Sequence, residues 1–223
     1  MELSYAAVIG VFADMHWVAP EGLGAFKARL RKLQGEGVPA GANPGKGKRV
    51  AYSTPMILEL AVALELIQVG LSPRAVADLI EENRDDLFVA CLMAIGPIKN
   101  ASEPMLLISP SALTFAALDR ENRLPYGALS IVTRRKMLGQ LSRSKVDFEP
   151  VTGEHWRWVV IGLREMMYAL LVHWSEVLEP SSSTLTEFLT KLVVDNSAPI
   201  REFKKTRLDK MVTLNLEVAS DGD

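Results

Sequence analysis

The sequence predicts a mainly α fold with small β, in which an N-terminal helical unit is followed by a mixed α+β region holding one long buried helix. Three observations predict it. Apolar residues recur at spacings of three and four over most of the chain, the mark of helices with a buried face. Ser53-Thr54-Pro55 and Ser72-Pro73 stand where two such stretches begin and Gly70 where one ends, as helix caps require. Short apolar runs between turn residues are confined to the second half, which limits the β content. The 223 residues leave room for one large domain or two small ones, with ample material for a core.

Ser4 to Met15 reads as a helix with Tyr5, Val8, Ile9 and Phe12 on one face, and His16 to Pro20 interrupts it. Glu21 to Gln34 forms a second helix with Leu23, Phe26, Leu30 and Leu33 inward and Lys27, Arg29, Arg31 and Lys32 on its other sides. Gly35 to Tyr52 contains five glycines and two prolines, which suits a turn followed by a β-hairpin with Val50-Ala51-Tyr52 as its return strand. Ser53-Thr54-Pro55 starts a third helix with a hydroxyl N-cap and an early proline. Met56 to Val69 is apolar almost all round and is expected to be buried, with Glu59 and Glu65 keeping one side wet. Gly70 closes it at the C′ position, and Ser72-Pro73 starts the helix Arg74 to Glu82.

Charge singles out this region. The whole chain has a formal net charge of −2, so its bulk charge points to no partner. Between Gly22 and Tyr52, however, Lys27, Arg29, Arg31, Lys32, Lys46, Lys48 and Arg49 face a single acid, Glu36, a local net of +6. Neutralising phosphates releases condensed counterions, so phosphate binding asks for such a patch. Two helices and a hairpin with a cationic tip make a winged helix-turn-helix, which meets DNA with its second helix in the major groove. In that geometry Arg29 and Arg31 are the forked donors suited to guanine, and Lys27 and Lys32 suit phosphate. Arginines that touch only the backbone fit as well, and the charge pattern alone equally fits a solvated helix beside a polar loop.

The same stretch resembles the DNA-binding domain of the MerR-type winged-helix regulators. Glu36-Gly37-Val38-Pro39 stands where that family turns out of its recognition helix, and Lys48, Arg49 and Tyr52 stand at the end of its wing. Ile57 to Val69 matches the family's Leu-rich helix, and Gly70-Leu71-Ser72-Pro73-Arg74-Ala75-Val76-Ala77-Asp78-Leu79-Ile80 its final segment. The resemblance covers roughly the first 85 residues and implies a DNA-binding role for the cations named above, with Tyr52 added to them. The chain departs from the family in carrying Phe26-Lys27-Ala28-Arg29 in place of Arg-Tyr-Tyr, and no long coiled coil follows.

A charged run, Glu81 to Asp86, marks the expected boundary between a domain of residues 1–84 and one of 85–223. The run also fits a solvated helix face continuing into Leu87 to Ile95. Beyond Gly96, Pro104 to Ser109 and Ala128 to Thr133 read as two strands of a small antiparallel hairpin. Arg134, Arg135, Lys136, Arg143 and Lys145 form a second basic cluster, read as a solvated loop ahead of a further DNA contact. Glu154 to Glu179 is the long helix: Trp156, Val159, Leu163, Met166, Leu170, His173 and Val177 follow heptad spacing, which fits a homodimer element or a monomer's core helix. After a loop come a short helix at Leu185 to Val194, a turn at Ser197 to Pro199 and an edge strand at Val212 to Val218.

Signals of other chemistry are weak. The one cysteine, Cys91, rules out a disulfide framework, and His16, His155 and His173 lack metal-ligand spacing. No nucleophile elbow, Walker loop or dinucleotide fingerprint is present, so no enzyme and no cofactor are expected. The N-terminus has no basic n-region and no apolar run is long enough to span a bilayer, which points to the cytoplasm, associated with a bacterial nucleoid. The expected function is a sequence-specific transcriptional regulator that binds double-stranded DNA as a homodimer, with an effector or protein partner at its second half. An excisionase-like architectural factor and a protein-interaction adaptor that binds no DNA are the alternatives.

Overall fold

The computed structural model describes residues 2–42, 50–96, 102–108, 129–143, 159–177, 190 and 193–203. It is mainly helical, with a two-stranded and a three-stranded antiparallel sheet. Strand β1 (Glu2–Leu3) leads into α1 (Tyr5–Met15), whose N-cap Ser4 accepts a hydrogen bond from the Ala7 N–H at 3.2 Å. A single 3₁₀ turn (Pro20–Gly22) precedes α2 (Leu23–Gly35), so the second helix starts later than its pattern suggests. Gly37 adopts φ +89°, the left-handed conformation that ends α2 and turns the chain away. Strand β2 (Tyr52–Ser53) returns to pair with β1, Glu2 opposite Ser53 and Leu3 opposite Tyr52.

Helix α3 (Thr54–Gln68) is buried almost all round, as its composition requires. Its two acids are not the wet side expected of them. The Glu59 side chain is only 9% exposed and is held by Arg84. Glu65 lies 4.0 Å from the nearly buried His16. Burial raises the Glu65 pKa, and burial together with His173 lowers that of His16. Ser53 caps α3 without a side-chain hydrogen bond, whereas Ser72 caps α4 (Pro73–Ile95) by accepting from the Ala75 N–H.

Helix α4 is continuous, so the charged run at Glu81 to Asp86 is its solvated face and not a linker. The boundary expected near residue 84 therefore falls inside one helix. Beyond it, β3 (Pro104–Ile108) is the centre of a sheet in the order β4–β3–β5, with β4 (Leu129–Thr133) and β5 (Val159–Gly162) both antiparallel to it. The expected hairpin is present. The third strand is not the helix start that the heptad pattern implied. Val159-Val160-Ile161 is a β-branched run, and edge pairing against β3 lets it extend. Leu106, Ile131 and Ile161 share one sheet face and join the main core. Leu107, Val132 and Met105 face the other way, against Met137 of α5 (Arg134–Arg143). The second basic cluster thus opens a helix instead of a loop, and Arg134 is drawn to the buried Glu103 at 3.1 Å.

Helix α6 (Leu163–Val177) buries Leu163, Met166, Met167, Leu170 and Trp174 in the core shared with α1 and α4. It is a core helix, and the homodimer role offered for it loses its apolar face. His173 Nδ1 donates to Asp14 Oδ2 of α1 at 2.6 Å, which satisfies it. Helix α7 (Ser197–Phe203) replaces the expected turn at Ser197 to Pro199. Proline is tolerated in a first helical turn, and Ile200 anchors the helix in the core. The expected helix at Leu185 to Val194 lies mostly, and the strand at Val212 to Val218 wholly, outside the described residues. No described helix is long and apolar enough to cross a membrane.

Candidate nucleic-acid interface

Helix α2 carries the candidate surface. Phe26, Leu30 and Leu33 hold one face in the core, at spacings of four and three. The other sides present Arg29, Arg31 and Lys32 to solvent, with Lys27 half-buried beside them. Among the described residues none of these four cations forms an ion pair. The one acid of the stretch, Glu36, is met by Arg74 of α4 at 3.6 Å, which Asp78 steadies at 3.2 Å. The helix therefore shows solvent a positive face, and beside it the two carboxylates Glu36 and Asp78 share one cation, Arg74. Ala28 is exposed between Lys27 and Arg29, and Gly24 and Ala25 are exposed in the turn before them, so the backbone of α2 is not screened by bulk there.

Lys46, Lys48 and Arg49 lie outside the described residues. In place of the expected return strand Val50-Ala51-Tyr52, the strand is Tyr52–Ser53 and it pairs with β1, which changes the reading of Tyr52. That residue is fully buried, its ring 6.4 Å from Tyr5, and its hydroxyl accepts a hydrogen bond from Gln34 Nε2 of α2. Tyr52 is thus a fastening between β2 and α2, buried where the resemblance implied a DNA contact. Burial, then the nearby Tyr5, push its pKa up to about 12, against the Gln34 hydrogen bond. Tyr52→Phe is expected to cost about 1 kcal/mol in urea unfolding. The native chain is also expected to lose stability as pH rises from 10 to about 12. The unfolded tyrosine gives up its proton near the lower value and the folded one only near the upper, so deprotonation favours unfolding, and the Phe variant loses less over that window.

Around this fastening, Ser4, Tyr5, Arg31, Gln34, Val50 and Tyr52 line a cleft of about 530 Å³ between the start of α1, α2 and β2. Of the four cations of α2, Arg31 is the one on its lining.

Trp17 is a candidate that the charge pattern does not single out. It sits in the turn between α1 and α2, 87% exposed, with φ +48°. A bulky residue in the left-handed region is strained, and an exposed indole gains nothing from the core. The signal available in the sequence is a Trp inside a break segment, His16 to Pro20, where turn residues are expected. Trp17→Gly is expected to relieve up to about 1 kcal/mol of strain. If the indole serves the interface, the same variant binds duplex more weakly while unfolding no earlier. Among the described residues no three His, Cys, Asp or Glu side chains converge as metal ligands. No family model matches the chain, no curated protein matches it and no solved structure matches its fold.

Proposed function

We propose that the chain is a sequence-specific DNA-binding regulator whose first part is a winged helix-turn-helix of the MerR-like kind. The observation that carries the reading is the face of α2: Lys27, Arg29, Arg31 and Lys32, none with a carboxylate partner among the described residues, and Glu36 paired with Arg74. Support comes from the order of elements, since a short strand pairs with the wing's return strand and brackets two helices. In this reading α2 enters the major groove, Arg29 and Arg31 reach base edges, and Lys27 and Lys32 hold phosphates. The wing, with Lys46, Lys48 and Arg49, follows the backbone or minor groove. The reading assigns the chain no catalytic step and no cofactor, and it places the protein in the cytoplasm on the nucleoid. It extends to a homodimer on half-sites about 34 Å apart, with a contact surface other than α6.

The test is duplex binding by fluorescence anisotropy over a salt series, with the native chain beside Lys46→Glu/Lys48→Glu/Arg49→Glu. The native chain is expected to bind with a steep salt dependence. The variant is expected to bind more weakly, with a slope lower by about 0.9 for each phosphate that a wing cation neutralises. Selection from a random library is expected to enrich a motif with two half-sites. Binding without an enriched motif identifies an architectural, excisionase-like factor. Absence of binding at low salt overturns the reading in favour of a protein-interaction adaptor.

A further inference from the structure

Between the first half of α3 and the second half of α4 lies a cavity of about 330 Å³. Its floor is apolar and buried: Val62 from α3, and Ile80, Leu87 and Cys91 from α4. Its mouth is polar and unevenly charged. Glu59 and Arg84 pair there through Arg84 Nε at 3.3 Å and Nη2 at 3.4 Å, which cancels one charge of each sign. Asp85 lines the same opening, is exposed, and has no ion pair among the described residues. The half-buried Phe88 supplies an aromatic ring beside it. Apolar enclosure with a few polar groups at one end is the general form of a small-molecule site. The net negative charge and the ring at this mouth select a cation over an anion.

We propose that this cavity binds a small apolar amine, with its hydrocarbon body on the α3–α4 floor and its ammonium at Asp85. The ammonium then stands beside Glu59, whose position matters elsewhere. Glu59 Oε1 also accepts a hydrogen bond from the Ala40 N–H at 3.1 Å, in the segment that leads from α2 to the wing. A ligand cation that draws Glu59 toward the mouth loosens that hold on the wing root. Occupancy is therefore expected to weaken duplex binding, a consequence that rests on the proposed function, whereas the amine site itself does not.

The test titrates the full native chain with octylamine, octanol and octanoate, by calorimetry and by the modification rate of Cys91 with a small thiol reagent. Cys91 is the chain's one cysteine and lines the cavity, and calorimetry on the same samples separates occupancy from a general slowing of modification by a more stable fold. Octylamine is expected to bind about fivefold more tightly than octanol, with octanoate weakest, and to slow Cys91 modification over the same concentration range. Asp85→Asn is expected to erase the preference for the amine and leave octanol binding unchanged. Val62→Phe fills the floor and is expected to weaken all three. If that variant does not fold, the exposed Asp85→Asn still decides. Octylamine that leaves Cys91 unprotected, or an unchanged ligand order in Asp85→Asn, overturns the proposal. In a second arm octylamine is added to the protein–duplex mixture. If no duplex binds, the DNA reading fails while Cys91 protection still judges the amine site. If Cys91 is protected and duplex affinity does not move, the link through Glu59 is overturned.

Discussion

Replacing Arg29, Arg31 and Lys32 together by glutamine is expected to lower duplex affinity by about two to three orders of magnitude near physiological salt. Each phosphate left without its cation also takes about 0.9 from the slope of log affinity against log salt, so the variant's salt plot should be flatter by as much as about three. The fold is expected to survive. The three side chains are exposed and have no partner among the described residues. Glutamine is also a good helix former, so unfolding should shift by no more than about 0.5 kcal/mol. Anisotropy and urea unfolding on the same preparations separate the two effects. A variant that keeps the native slope removes α2 from the interface.

The second large effect concerns the whole molecule. Trp174→Ala is expected to cost about 3–5 kcal/mol, because Trp174 is 4% exposed on the face of α6 that enters the shared core. Since α6 packs on α1 and α4, that loss should appear in both halves at once. Circular dichroism should show one shifted transition, and hydrogen exchange should quicken in α1 as well as in α6. Two separate transitions, with only the later one moved, would restore two independent domains. For the same reason a fragment ending near Gly96 is expected to be poorly folded, since it bares the faces of α1 and α4 that α6 covers.

The difference between one core and two domains shows what a linear reading reaches. The first three helices and the start of the fourth are legible because their signals are local. Ser72-Pro73 starts α4, Gly70 ends α3 in the left-handed conformation, and apolar spacing marks the buried faces. The pairing of β3 with β4 is legible from two short apolar runs. Features decided by a distant partner are not. Nothing near Glu59 announces Arg84, 25 positions away, and nothing near Asp14 announces His173, 159 positions away. The run Val159-Val160-Ile161 continues a heptad pattern and is absorbed into it, although β3 makes it a strand. Tyr52 reads as a DNA contact because its place beside the wing is visible in the sequence and its burial is not. The four cations of α2 are legible as a group, since charge without nearby acid is a property of sequence. Their freedom from ion pairs depends on Arg74 reaching Glu36 across the fold.

The continuity of α4 has a mechanical consequence. Its 23 residues make a rod about 35 Å long. One end stands at Arg74, against the close of α2, and the other at Ala94 and Ile95, beside α6. A stiff rod cannot absorb a push by flexing in the middle. A tilt of about 5° at either end carries the opposite end through about 3 Å over that length. A tilt of α4 about its Ile95 end would thus carry Arg74, and with it the Glu36 carboxylate it meets at the close of α2, through that distance.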